Sequence, residues 1–271
     1  MAPSMETKLG SSLPVPSVQE LAKKSPNKVP SKYVRPDLEP SIASKAALHQ
    51  VPVIDIQKEW DFFQLINHGA NKSSIENMKR ELQALFNLPM EEKKKLWPKP
   101  GNMEGFGQHF VMSEDQKLDW ADLFFLNMLP IHMRKPHPFS ALPTCFREAV
   151  EDYSAELRDL AMRILEQMAR ALCMDFNEIK ENYQEGWQAM RMNYYPPCPQ
   201  PDLPHCDCPT PNAFIINIGD MLEIVTNGIY PSVEQRATIS STKERPSIAP
   251  FHNREFDGEL CAAGSLVTPE I

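Results

Sequence analysis

The sequence has no run of about 18 to 20 apolar residues, the length that crosses the hydrocarbon core of a bilayer. Its first residues, MAPSMETKLGSSLPVPS, lack the apolar centre of a secretory signal. Neither a membrane span nor export is expected. A basic excess is missing too: 28 Lys and Arg stand against 36 Asp and Glu, for a formal net charge of −8. That balance gives no electrostatic footing for a nucleic-acid backbone. Six cysteines in 271 residues, without an export signal, read as free thiols in a reducing cytoplasm rather than as a disulfide framework. There is no internal repeat and no low-complexity tract. What these absences leave is a soluble protein with one large core or two closely packed subdomains, suited to a small neutral or cationic partner and expected to be a monomer.

Residues 1–50, rich in Ser, Pro and Lys, are expected to form an arm with one short helix at SVQELAKK. Two β-type runs follow, VPVIDI (51–56) and FFQLIN (62–67), the second stopping at the turn pair His68-Gly69. Ser73 and Glu76 form a capping-box pattern. Ile75, Met78, Leu82, Leu85 and Phe86 then recur at steps of three and four, which predicts an amphipathic helix ending near Pro89. The stretch EGFGQHFVMSEDQKLDWADLFFL is interrupted by glycine and then β-like. After Pro143, Phe146, Val150, Tyr153, Leu157, Leu160, Ile164, Leu165, Met168 and Leu172 hold one face of a helix for about seven turns.

From about residue 187 the texture changes to short β-type runs: QAMRMNYY, AFIINIG, LEIVTN, RATIS and RPSIAPF. Such spacing reads as a sandwich or jelly roll. The expected layout is therefore an arm (1–50), a mainly helical region (51–186) and a β-domain (187–271).

The stretch YPPCPQPDLPHCDCPTPNAF (195–214) holds His205 and Asp207 two positions apart. In a strand that spacing aims an imidazole and a carboxylate at one point. Two ligands of a 2-His-1-carboxylate iron site would look like this, and so would a loop histidine beside an aspartate. A zinc site drawn from Cys198, His205, Cys206 and Cys208 is a third reading, although Cys-x-Cys is tighter than the usual spacer.

The context of the triplet narrows these readings. QAMRMNYYPPCPQPDL, PNAFIINIGDMLEIVTNGIYPSVEQRAT and ERPSIAPFHN resemble, in order, the core blocks of the plant 2-oxoglutarate and iron(II)-dependent dioxygenases. LPVPSVQELAKK, PVIDI, EWDFFQLINHG and EGFGQHFVMSEDQKLDWADLFF resemble the N-terminal region of the same family. The branch is that of the senescence-related, alkaloid O-demethylase-like and dioxygenase-like norcoclaurine synthase proteins. The resemblance implies an α+β fold, with a helical N-terminal region packed on a double-stranded β-helix, the jelly roll. It implies an oxidoreductase that uses Fe(II) and 2-oxoglutarate, with ascorbate as a possible aid, to hydroxylate or O-demethylate a small plant specialised metabolite. It carries His205 and Asp207 over as iron ligands. Arg245 and Ser247 fall at the family's Arg-x-Ser position, which binds the distal carboxylate of 2-oxoglutarate, with Tyr195 and Asn193 beside it. A guanidinium suits that role, because it forks onto a carboxylate with two charge-assisted hydrogen bonds. His68, His252, Asp119, Trp120 and Asp122 fall in architectural blocks.

The chain also departs from the family pattern. Gln235 stands where the third ligand, a histidine, is expected, and a neutral amide oxygen holds Fe(II) more weakly than an imidazole. Asp207 and Gln235 are 28 positions apart, whereas a jelly-roll path between the ligand strands takes on the order of 40 residues. Only QKEWD joins the PVIDI and FFQLINHG runs, too little for an intervening helix, and the chain stops at LVTPEI. An incomplete jelly roll with an unpaired sheet edge is expected. A catalytically inactive binding protein on the same scaffold is the alternative function.

Overall fold

The computed structural model describes residues 12–13, 15–24, 28–34, 53–54, 62–99, 101–108, 111, 113–200, 210–233, 237, 239–254 and 260–267. In chain order its helices and strands are α1 (Val18–Lys23), β1 (Val53–Ile54), β2 (Phe62–Leu65), α2 (Lys72–Phe86), α3 (Met90–Lys94), β3 (Gly105–Phe106), β4 (Asp122–Leu129), α4 (Pro136–Phe139), α5 (Thr144–Ala171), α6 (Asn177–Tyr183), β5 (Gln188–Tyr195), β6 (Phe214–Asn217), α7 (Asp220–Val225) and β7 (Arg245–His252). The strands form two sheets, ordered β1-β2-β6 and β3-β4-β5-β7. No closed barrel forms among the described residues, and no described helix is long and apolar enough to cross a membrane.

The long helix α5 spans 28 residues and buries Phe146, Val150, Tyr153, Leu157, Leu160, Ile164 and Met168, the face its period predicts. With α2, which contributes Met78, Leu82, Leu85 and Phe86, it forms one layer of the main core. The other layer comes from the sheets: Phe63 and Leu65 of β2, Phe124 and Leu126 of β4, and Met190, Met192 and Tyr194 of β5. Each fully buried Leu, Met or Phe side chain contributes about 1.5–3 kcal/mol relative to exposure. The β-strands thus pack on the helix that follows Pro143, as expected.

Two local expectations are corrected. Helix α2 begins at Lys72 and its N-cap is Asn71, whose side chain accepts from the Ser73 N–H at 3.0 Å, so Ser73 is not the cap. The run LEIVTN is not a strand. Leu222 and Val225, three apart, both face the α5–α6 cluster while Ile224 points to solvent, which is helical rather than alternating periodicity. Of the RATIS run, Ala237, Ile239 and Ser240 lie outside any strand.

Strands β1 and β2 pair in parallel, Val53 with Gln64 and Ile54 with Leu65. A parallel connection ordinarily takes a dozen or more residues and a helix. Here only residues 55–61 lie between the strands, as the short QKEWD link foreshadows. Strand β7 pairs along its whole length with β5 and with no other described strand. It carries Pro246 and Pro250, residues found in sheets at edges, where a missing N–H does least harm. Gly186 lets the chain enter β5: a Cβ there would stand 2.1 Å from the Asn253 carbonyl oxygen.

One carboxylate receives the start of α1. Asp122, 4% exposed, accepts from the Ser17 hydroxyl at 2.6 Å and from the N–H groups of Val18 and Gln19 at 2.7 and 3.1 Å. Burial pushes its pKa up, while these donors and the nearby Lys93 ammonium pull the other way. Lys93, itself buried, donates to the Gln19 side chain and lies over the Phe106 ring at 5.2 Å.

Candidate carboxylate-binding site

In the β5–β7 ladder Asn193 pairs with Ser247 and Tyr195 with Arg245. Directly paired residues point to one face, and residues two apart on a strand share it. Arg191, Asn193, Tyr195, Arg245 and Ser247 therefore gather on one side of the sheet. Met192, Tyr194 and Ile248 occupy the other side, against the helices. Four residues expected at the co-substrate site are thus brought together from segments 50 or more positions apart.

The contacts within the group are specific. The Asn193 amide donates to the Ser247 hydroxyl at 3.3 Å and accepts from Arg191 Nε at 2.9 Å. The Arg245 guanidinium lies over the Tyr195 ring, 4.4 Å from its centroid, a cation–π contact that ties the exposed cation to the buried phenol. Burial pushes the Tyr195 phenol up, and the Arg245 and Arg191 cations partly oppose it. Asn193 and Tyr195 are 4% and 8% exposed, whereas Arg245 is open to solvent. A buried floor of phenol and amide under an exposed cation and a hydroxyl is a donor set suited to the carboxylate of a small acid.

Arg191 was not among the expected site residues. The signal for it is the alternation in RMNYY, which puts Arg191, Asn193 and Tyr195 on one face once that run is a strand. Its guanidinium is 3.8 Å from the Asp119 carboxylate, so Asp119 touches the site as well as its architecture.

A cleft of ≈ 620 Å³ opens beside β7, lined by Pro246, Ser247 and Ile248, by Lys72, Ile75, Lys79 and Leu82 of α2, and by the Asn67–Gly69 and Pro211–Phe214 segments. It reaches Ser247 but not Arg245, Asn193 or Tyr195. His68 is a turn residue, its ring within 3.1 Å of the Asn212 carbonyl, and His252 sits in β7 opposite Gln188.

His205, Asp207 and Gln235 lie outside the described residues, as do Cys206 and Cys208 of the zinc reading. Cys198 is described and is buried among Tyr33, Val111 and Trp120. Among the described residues no three His, Cys, Asp or Glu side chains converge as a metal site.

Fold and site together define an α+β protein built on part of a jelly roll, with a paired strand suited to holding a carboxylate. Comparison with known proteins agrees. Residues 43–144 match the N-terminal family described as non-haem dioxygenase in morphine synthesis, and residues 205–254 match the 2OG-Fe(II) oxygenase superfamily. The chain is 43% identical to thebaine 6-O-demethylase of Papaver somniferum, across 97% of this chain and 89% of that one. It is 44% identical to oxoglutarate-dependent flavonoid 7-O-demethylase 1 of Ocimum basilicum, across 97% and 84%. Among solved structures it is similar to JOX2 in complex with 2OG, Fe and JA, at 28% identity and a TM-score of 0.82, covering 95% of this chain and 88% of that one. The chain belongs to the 2OG-Fe(II) oxygenase superfamily, whose members are oxidoreductases that use Fe(II) and 2-oxoglutarate. The first of these alignments runs for 323 residues, more than the 271 of the chain itself. That relative therefore has residues with no counterpart here.

Proposed function

We propose that this chain binds 2-oxoglutarate through Arg245, Ser247, Tyr195 and Asn193 and hydroxylates or O-demethylates a small plant specialised metabolite. The observation that carries the reading is the gathering of those four side chains on one face of β5–β7. In this reading Arg245 takes the distal carboxylate with its fork, Ser247 adds a hydroxyl donor, and Tyr195 holds the guanidinium by its ring. Asn193 keeps the Ser247 hydroxyl oriented. His205 and Asp207 would hold the iron, with Gln235 as the third ligand, and iron with 2-oxoglutarate supplies the oxidising chemistry of the family. Residues 187–271 form the catalytic part, residues 51–186 its helical support and residues 1–50 an arm. The protein works as a monomer in the cytoplasm on a small-molecule substrate, with ascorbate keeping the iron reduced, and with no nucleic-acid or membrane partner.

A second reading, a scaffold that binds 2-oxoglutarate without turnover, is favoured by Gln235 and by the 28-residue span from Asp207. Two measurements separate the readings: 2-oxoglutarate binding by calorimetry, and succinate release in the presence of Fe(II) and ascorbate. Slow succinate formation that rises in Gln235→His supports the oxygenase. Binding with no succinate, before or after that change, supports the scaffold. Absence of 2-oxoglutarate binding sinks both.

A further inference from the structure

The end of β7 that presents Arg245 is open on one side: Arg245 and Pro246 are exposed, and β7 has one described neighbour. A side-chain tie stands at the same end. The Tyr194 hydroxyl donates to the carboxylate of Glu244, the residue before Arg245. Glu244 also accepts from the Gln83 side chain of α2 at 3.4 Å. Tyr194 is a firm anchor: it is 4% exposed and stacks on Phe86 at 5.4 Å, with 29° between the rings. Burial and the Glu244 carboxylate both push its phenol up, so it keeps its proton at any ordinary pH.

We propose that Tyr194 and Glu244 are a positioning pair for the carboxylate clamp. They fasten the residue that leads into β7 to the helix-facing side of the sheet, so that Arg245 stands over Tyr195 on the opposite side. Tyr194 and Tyr195, adjacent in β5, point to opposite faces. One tie on the inner face therefore sets where the guanidinium lies on the outer face, without touching the ligand. This deepens the reading of Arg245 as the 2-oxoglutarate ligand and rests on it.

The test is a mutant cycle on the full-length chain, read by calorimetric titration with 2-oxoglutarate in anaerobic Fe(II) buffer. Tyr194→Phe and Glu244→Ala should each weaken 2-oxoglutarate binding about three- to tenfold, the worth of one lost hydrogen bond. Glu244→Gln, which still offers an oxygen to the Tyr194 hydroxyl, should stay within about twofold of the parent. If the pair acts through Arg245, Tyr194→Phe should change binding by less than about twofold when Arg245→Ala is already present. A merely structural loss would carry through on that background. Should Tyr194→Phe fold poorly, Glu244→Ala alters an exposed side chain and carries the same test. Unchanged affinity in both single variants, or an equal loss with and without Arg245, would overturn the pairing. A parent chain that binds no 2-oxoglutarate would instead overturn the reading of the site on which the pairing rests.

Discussion

Strands β5 and β7 are each eight residues long and pair with one another at every position, yet seven residues of β5 are buried and none of β7 is. Ala189 is fully buried while its direct partner Phe251 is 44% exposed. The difference is in what lies beyond the pair. Strand β5 has β4 on its other side and α2 and α5 beneath it, whereas β7 has no second neighbour among the described residues. Hydrogen bonds along a ladder fix the shape of a strand, and burial follows from the layers around it. A sheet edge can therefore keep its register, and with it the alignment of Arg245 and Ser247, with little apolar cover from the described residues.

The contrast is open to attack from either strand. Phe124 of β4 is fully buried against Phe146, with ring centroids 6.2 Å apart. Phe124→Ala should cost about 3–5 kcal/mol of unfolding free energy, and Phe251→Ala on the exposed edge less than about 1 kcal/mol. Similar shifts in the two urea midpoints would break the comparison.

One end of β7, at the half-buried His252, should behave more like core than the rest of the strand. Burial, helped by the Arg158 cation, pushes His252 down from 6.5 to about 4. The unfolded chain takes up this proton near pH 6.5, but the folded chain only near 4, so stability should fall as pH drops through that window. The loss reaches up to about 3 kcal/mol. His252→Gln should flatten this part of the pH profile of the urea midpoint. An unaltered slope would mean that solvent reaches this end of the strand as well.

A smaller effect is expected where the arm meets the sheet. Asp122→Asn keeps one acceptor oxygen and loses the other, so either the Val18 N–H loses Oδ1 or the Ser17 hydroxyl and Gln19 N–H lose the Oδ2 they share, at about 1–2 kcal/mol. Protease cleavage within the first 34 residues should speed up more than cleavage elsewhere. Uniform acceleration along the chain would show that the arm has no separate stability.

Much of the helical layer was legible because a long amphipathic period leaves little choice: one face of α5 had to be buried, and Phe146 to Met168 named it. Short apolar runs were not. LEIVTN suits a strand or a helix equally until the α5–α6 cluster selects Leu222 with Val225 rather than Leu222 with Ile224. The Asn71 cap lost to Ser73 in the sequence because a capping box looks only three residues ahead and is blind to where the chain enters the helix. At the candidate site, Arg245 and Ser247 could be proposed from resemblance. Their pairing with Tyr195 and Asn193 is a matter of register, which no local pattern in either segment contains. The tie from Tyr194 to Glu244 was illegible for the same reason. The proposed ligands His205, Asp207 and Gln235 lie outside the described residues.

The seat of α1 on Asp122 sets an order of events during synthesis. The groups that dock, Ser17, Val18 and Gln19, leave the ribosome before their acceptor, which follows about a hundred positions later: Val18 and Asp122 are 104 residues apart. At about 5–20 residues per second, the nascent arm waits on the order of 5 to 20 s before its carboxylate exists. Through that interval α1, only six residues long, is too short to persist as a helix in water. A segment made early is thus fixed late, because it cannot close over β4 until Asp122 has been made.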